Sequence, residues 1–180
     1  MGVLNLDTFT TARLCAERLT EGHREEIARM HQDPHAMAFL GGVRDDAKTR
    51  EYLDRNLAHW DVHGFGLWIL RDRASGEMIG RGLLRHLDAE GQDFIETGYA
   101  FYPSWWGKGL ATEIAQKCVD LGFETLRLES VVGLTTPANT ASQHVLKKVG
   151  MALDREYDHA GVPHVLFRVT RQTWATRAKR

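Results

Sequence analysis

The sequence predicts an α+β fold, a mixed β-sheet with helices on its faces, and three features carry that reading. Helical periodicity fills most of the first third. Apolar runs divided by turn residues follow, and a strand–helix–strand–helix–strand order closes the chain. No internal repeat or linker-like stretch breaks this order. One domain over 1–180 is therefore expected, with a core at 9–170 and a basic tail at 171–180.

An opening strand is expected at 11–19, where Leu14 and Ala16 stand among Arg13, Glu17 and Arg18. A polar helix follows from 21, with Ile27 and Met30 on one face, and ends before Asp33-Pro34. A second helix begins at 45: Leu53, Leu57 and Trp60 recur at i, i+4 and i+7, and Gly64 stops it. Segments 65–70 and 78–87 flank the turn residues Arg73-Ala74-Ser75-Gly76 and read as a β-hairpin. Segment 94–102 is a further strand, closed by Pro103. Gly107 and Gly109 open a helix carrying Leu110, Ile114, Cys118 and Leu121. A strand is expected at 126–132, with Leu126, Leu128, Ser130 and Val132 on one side. Pro137-Ala138-Asn139 starts a last helix with Val145, Leu146 and Val149, which Gly150 ends. Strands at 151–157 and 165–170, split by Ala160-Gly161-Val162-Pro163, complete six to seven strands and four helices.

Composition narrows the function. The 180 residues are 43% hydrophobic and 26% charged, as in an ordinary globular domain. With 23 basic against 24 acidic residues, the chain lacks the cationic excess that non-specific nucleic-acid binding needs, so no nucleic-acid partner is expected. The basic run Arg171, Arg177, Lys179, Arg180 is expected to be a solvated end. Cys15 and Cys118 read as small hydrophobes in a reducing compartment. The nine histidines are scattered; the pairs His31/His35 and His59/His63 carry no third ligand nearby in sequence, and no metal is expected. No apolar run approaches the ~20 residues of a membrane span, and the N-terminus lacks an apolar signal region, so a cytoplasmic protein with no membrane partner is expected.

The segment between 99 and 115 carries the chemistry. A strand ends, two glycines follow with one residue between them, and a helix begins. Such a junction leaves backbone N–H groups unpaired at the helix start, where the helix dipole adds partial positive charge. Glycine lacks Cβ, so a ligand can approach the backbone closely at Gly107 and Gly109, and Lys108 adds a cation. The layout suits a phosphate or pyrophosphate. A Walker A loop is excluded because Gly107-Lys108 is followed by Gly109, and position 102 is Tyr. The dinucleotide fingerprint fails at Thr112 and stands too late in the chain. On the glycines alone, a ligand-free strand-to-helix turn is the better account of the pattern.

The residues around the glycines are more specific. The run Glu96-Thr97-Gly98-Tyr99-Ala100-Phe101-Tyr102-Pro103-Ser104-Trp105-Trp106-Gly107-Lys108-Gly109-Leu110-Ala111-Thr112-Glu113 resembles the acetyl-CoA motif of GNAT acetyltransferases. It looks most like the branch that includes the ribosomal-protein N-terminal acetyltransferases (RimJ/RimL-like). The segment Asn139-Thr140-Ala141-Ser142 through Lys148-Val149-Gly150-Met151 resembles that branch's N-x-x-S helix and its Lys-x-Gly ending. Thr11-Ala12-Arg13-Leu14 and Asp33-Pro34 are similar to it as well. The resemblance covers about 9–170.

The resemblance implies a GNAT-like, mostly antiparallel sheet splayed between its two central strands, and an acetyl-CoA-dependent N-acetyltransferase. In the family, loop amides hold the pyrophosphate, which maps here to Trp106, Gly107, Lys108, Gly109, Leu110, Ala111 and Thr112. Pantetheine pairs with exposed strand backbone, here Tyr99, Ala100 and Phe101, as an added strand. An amide near Phe101 would polarise the thioester carbonyl. Asn139 matches the family asparagine on the pantetheine side, with Ser142 one turn later.

The nucleophile in such a reaction is a neutral primary amine, so a base is required. Glu96 is the candidate; the alternative is a solvated or salt-bridged strand glutamate. Many superfamily members protonate the departing thiolate with a tyrosine of the last helix. Leu146 stands there in this chain, which leaves Ser142 as acid or as cofactor contact. A second departure is Ser104, where many members carry Arg or Gln. Trp105 and Trp106 either cover the cofactor or fill core, with at least one expected to pack. The acceptor, a small-molecule amine or a protein N-terminus, would meet segments 34–44 and 157–165 with His35, Arg44, Asp158, His159 and His164. A homodimer is an expectation from the family only. The rival readings are a non-catalytic acyl-CoA-binding module of the same fold and a nucleotide-binding protein.

Overall fold

A computed structural model describes residues 6–89, 91–159 and 161–177. They form eight strands, hydrogen-bonded in the order β1-β2-β3-β4-β5-β6-β8-β7 by chain position, and fall into two compact units.

The first unit runs to Leu83 and also takes in Tyr99–Ala111. It contains β1 (Thr8–Thr10), β2 (Leu14–Arg18), α1 (Arg24–Gln32), α2 (Asp46–His63), β3 (Leu67–Asp72) and the start of β4 (Met78–Ala89). The three strands after β1 pair antiparallel in sequence order. Segment α2 begins where its cap chemistry dictates: the Asp45 carboxylate accepts from the Lys48 amide at 2.8 Å. It ends on Gly64 at φ 71°, the left-handed cap that glycine tolerates best. Helix α1 buries Ile27 and Met30, as their spacing predicts. The core is closed by Trp60 of α2 set edge-on against Trp68 of β3, with centroids 5.4 Å apart. Neither indole N–H is wasted: Trp60 donates to the Leu67 carbonyl and Trp68 to the Leu6 carbonyl, both at 2.8 Å. Strand β1 is absent from the sequence expectation, and the expected strand at 11–19 is narrower. The exposed–intermediate–exposed pattern of three residues is too short to register as an alternation.

The second unit holds Leu84–Gly98 and everything from Thr112 onward. Its elements are the end of β4, most of β5 (Gln92–Phe101) and of α3 (Leu110–Asp120), then β6 (Ser130–Thr135), α4 (Thr140–Lys148), β7 (Ala152–His159), β8 (Val162–Thr170) and α5 (Arg171–Arg177). Leu87, Phe94, Val132, Tyr157 and Leu166 form its apolar cluster. Strand β6 pairs antiparallel with β8 over six residues, from Ser130↔Thr170 to Thr135↔Val165. Its ladder with β5 is parallel and holds a single registered pair, Glu96↔Val132, which is the expected splay between the central strands.

Two expectations are corrected here. The strand expected at 126–132 begins only at Ser130. Residues 121–125 form a wide helical turn, the Leu128 amide folds back onto the Gly122 carbonyl at 2.9 Å, and Arg127 adopts φ 57°. Leu126 and Leu128 mimic strand alternation while belonging to that turn. The tail is not a solvated end over 171–177: it is α5, tied down by Trp174 Nε1 donating to Asp120 at 2.8 Å and by Arg171 donating to the Phe123 and Leu128 carbonyls at 3.0 and 2.6 Å. Lys179 and Arg180, like Ala160, lie outside the described residues. Among the described residues the totals are thus eight strands and five α-helices, against six to seven and four.

Candidate active site

The strand-to-helix junction has the form its sequence implies. Strand β5 ends at Phe101, a single turn over Pro103–Trp105 follows, and α3 starts at Leu110. Gly107 and Gly109 both take left-handed conformations, φ 71° and 78°, which place successive amides on one side of the loop. The amides of Gly107, Lys108, Gly109, Leu110, Ala111 and Thr112 make no turn, loop or cap hydrogen bond with any described residue. Trp106 departs from the expectation: its amide is already donated to the Pro103 carbonyl at 3.1 Å. A Cβ added at Gly107 would meet no atom within 4 Å, so the backbone there is open to a ligand.

Two cations border these amides. Lys108 lies over the Trp105 ring, with Nζ 4.4 Å from the centroid. Arg13, just before β2, donates from Nη1 to the Lys108 carbonyl at 2.6 Å, and its other terminal nitrogen would stand 3.5 Å from a Cβ at Gly109. The sequence offered Arg13 only as part of a weak resemblance; no local pattern links it to a loop ninety-five residues away. Neither tryptophan is core. Trp106 is 53% exposed, and its Nε1 donates to the Phe101 carbonyl at 2.8 Å. That bond occupies one of the backbone acceptors expected to face pantetheine. Ala100 and Phe101 are buried, and Tyr99 is half-buried.

In the same unit, a cleft of about 570 Å³ opens beside the turn, lined by Glu26, Arg29, Asp33, Glu77, Tyr102 and Ser104 among others. Its carboxylates outnumber its one guanidinium. Glu26 is held below the usual carboxylate range by the Arg71 guanidinium, and burial raises the Tyr102 phenol.

The remaining candidates lie in the second unit. Glu96 on β5 is 7% exposed and ion-paired: Arg85 on β4 donates from Nε and Nη2 to the same oxygen, Oε1, each at 2.6 Å. Both contacts fall on Oε1, so Oε2 is the oxygen that faces away from the pair. Of the two readings of this glutamate, the ion pair is present. Asn139 caps α4, its Oδ1 accepting from the Ser142 amide at 3.1 Å, so its amide nitrogen is the group left to donate. Leu146 is buried at 2% and packs over Gly133, where any Cβ would collide with it. The position is apolar core and supplies no hydroxyl. Cys118 is wholly buried, and burial pushes its thiol up to about 12, in keeping with an inert core residue.

With this geometry in view, the comparisons are decisive. The sequence profile of the acetyltransferase (GNAT) domain matches residues 13–152. The chain belongs to the GNAT acetyltransferase family. It is an enzyme of the acetyltransferase class. Among relatives of this acetyltransferase, YnaD of Bacillus subtilis (strain 168), an N-acetyltransferase by name, is 36% identical over 144 residues, spanning 79% of this chain and 81% of that protein. The FsC-acetyl coenzyme A-N(2)-transacetylase of Aspergillus fumigatus is 29% identical over 184 residues, 93% of this chain and 77% of its own. Among solved structures, an acetyltransferase from Agrobacterium tumefaciens str. C58 superposes with a TM-score of 0.80 at 25% identity, covering 94% of this chain and 97% of that one. Among the described residues of the GNAT chain, no helix is long and apolar enough to cross a membrane.

Proposed function

We propose that the chain transfers an acetyl group from acetyl-CoA to a primary amine by direct attack of the amine on the thioester. The observation that carries this reading is the set of six unpaired amides from Gly107 to Thr112 beside Lys108 and Arg13. Free N–H groups, a helix N-terminus and two cations match the charge and hydrogen-bonding needs of a diphosphate. Family membership makes coenzyme A the diphosphate of choice. Tyr99 and Ala100 keep the pantetheine-pairing role, Phe101 through its amide, and Asn139 and Ser142 stand as further cofactor contacts on the strength of the resemblance.

When bound, acetyl-CoA supplies the activated carbonyl carbon. The chain's own residues do the rest. Glu96 Oε2 takes a proton from the acceptor's ammonium, directly or through water, to free the neutral amine, while Arg85 holds the carboxylate in place. The neutral amine nitrogen bonds to the carbonyl carbon, the C–S bond breaks, and the surplus proton that the nitrogen sheds on acylation balances the one that the departing thiolate takes up. The products are an N-acetyl amide and free coenzyme A. Leu146 cannot donate that last proton, so the proposal assigns Ser142, or solvent held by it, to the thiolate. The ribosomal-protein-like branch, and with it a protein N-terminus as acceptor, rests on the sequence resemblance of the glycine-loop run and the Asn139-to-Gly150 segment, with Thr11–Leu14 and Asp33-Pro34 beside them.

The test is a thermal-shift panel followed by turnover. Acetyl-CoA well above its Kd should raise Tm, because a ligand that binds only the folded state stabilises it. Free-thiol release should then appear with primary amines. A shift with ATP or NAD and none with acetyl-CoA would replace this reading with the nucleotide-binding one. A shift without turnover on any amine class would leave a binding module.

A further inference from the structure

Among the described residues, three of the partly buried arginines pair with carboxylates: Arg71 with Glu17 and Glu26, Arg85 with Glu96, and Arg168 with Asp154. Arg81, on β4 opposite Ile69, does not. It is 4% exposed, its Nε–H is buried without a hydrogen-bond partner, and no carboxylate lies within ion-pair distance among the described residues. A buried guanidinium without a counter-charge is costly to folding and persists where something outside the chain supplies the charge.

The Arg81 guanidinium lies 5.0 Å from the centre of the Tyr52 ring, and that of Arg44 lies 4.8 Å from the same ring. The Tyr52 hydroxyl is itself buried without a partner. His31 contributes no negative charge and no acceptor to spare. Arg44 can only donate, so His31 Nε2, 3.2 Å away, is the acceptor, and Nδ1–H is directed to Thr49 Oγ1 at 3.0 Å. Burial first, then Arg44 and Arg81, hold this imidazole neutral down to about 3. The cluster therefore holds two guanidinium groups, a free N–H and a free O–H.

We propose that Arg81, Arg44 and the Tyr52 hydroxyl form an anion subsite that binds a carboxylate borne by the acceptor, so that the amine substrates of this enzyme are amino acids or peptides with a free acid group. A carboxylate offers acceptors of the kind both orphaned donors lack and carries the charge opposite to the buried one. Arg44 ends the segment that the family resemblance assigns to the acceptor, which links the subsite to that molecule. The assignment of the anion to the acceptor rests on the acetyl-transfer reading.

Two readouts test it. The first is free-thiol release from acetyl-CoA with amino acids and dipeptides, each against its C-terminal amide. The second is the Tm shift produced by acetate and succinate over chloride at equal ionic strength. The wild type should prefer the free acids by about tenfold or more in kcat/KM, the scale of one charge-assisted pair. Carboxylates should raise its Tm. Arg81→Met should abolish both effects, raise the Tm of the anion-free protein, and leave the acetyl-CoA shift unchanged. Should Arg81→Met fail to fold, Arg81→Lys, which keeps the charge but not the planar fork, should lose most of the preference. Amides used as well as acids, or a carboxylate shift that survives in the variants, would overturn the proposal. A carboxylate shift without an acetyl-CoA shift would sink the transferase reading and keep the subsite, with a free carboxylate as its ligand.

Discussion

Arg13 Nη1 donates to the Lys108 carbonyl at 2.6 Å, tying the residue before the second strand to the centre of the glycine loop. The bond brings a second cation to Gly109. Because the pair is solvent-exposed, the expected effect is modest. Arg13→Ala should weaken acetyl-CoA binding by about three- to tenfold in calorimetry. Arg13→Lys, which keeps the charge and loses the fork, should fall between. Equal affinities in all three proteins would remove Arg13 from the site.

Gly109→Val tests the loop itself. At φ 78° a β-branched residue costs on the order of 1–2 kcal/mol in backbone strain alone, and its side chain enters the space over the free amides. Acetyl-CoA binding should be lost while far-ultraviolet circular dichroism stays native. Unchanged affinity would mean that the diphosphate binds elsewhere.

Glu96→Gln should lower kcat by about tenfold to a hundredfold, within the range ascribed to general-base catalysis, and leave acetyl-CoA affinity intact. It also removes the negative charge with which Arg85 pairs through both Nε and Nη2. The variant should therefore lose stability, and Arg85→Gln should disturb the kcat pH profile without touching the cofactor loop. A wild-type profile in Glu96→Gln would reduce Glu96 to a structural ion pair.

His31 makes stability depend on pH. Its folded pKa is lowered from 6.5 to about 3, so as the pH falls the unfolded chain takes up the proton first. The stabilisation is whole above pH 6.5 and drains away from there towards about 3. Between pH 6.5 and 5, before most carboxylates titrate, Tm should decline in the wild type. The decline should flatten in His31→Gln, whose amide can still accept from Arg44 and donate to Thr49. Parallel curves would show that His31 does not carry the dependence.

Truncation after Thr170 removes α5, with the Trp174–Asp120 bond and the Trp174–Phe123 ring contact at 5.2 Å. A loss of about 1–3 kcal/mol, or several degrees in Tm, is expected by scanning calorimetry. A truncated chain as stable as the full one would restore the solvated-tail reading.

How much of this was legible in the chain depends on the range of the interaction. Helix α2 was readable at both ends because Asp45 and Gly64 act on amides and carbonyls within one turn of themselves. The glycine loop was readable for the same reason: free amides follow from two left-handed glycines and a helix start, all within six residues of sequence. The strand at Ser130 was misread, because Leu126 and Leu128 alternate like a strand while a wide turn packs them differently. Only the tertiary structure decided that Arg13 reaches Lys108, that Glu96 is paired with Arg85, that 171–177 docks as a helix, and that Arg81 is buried without a counter-charge. Periodicity, caps and turn residues are properties of neighbours, whereas the fate of a long charged side chain is set by whichever distant carboxylate, carbonyl or ring the folded chain brings to it.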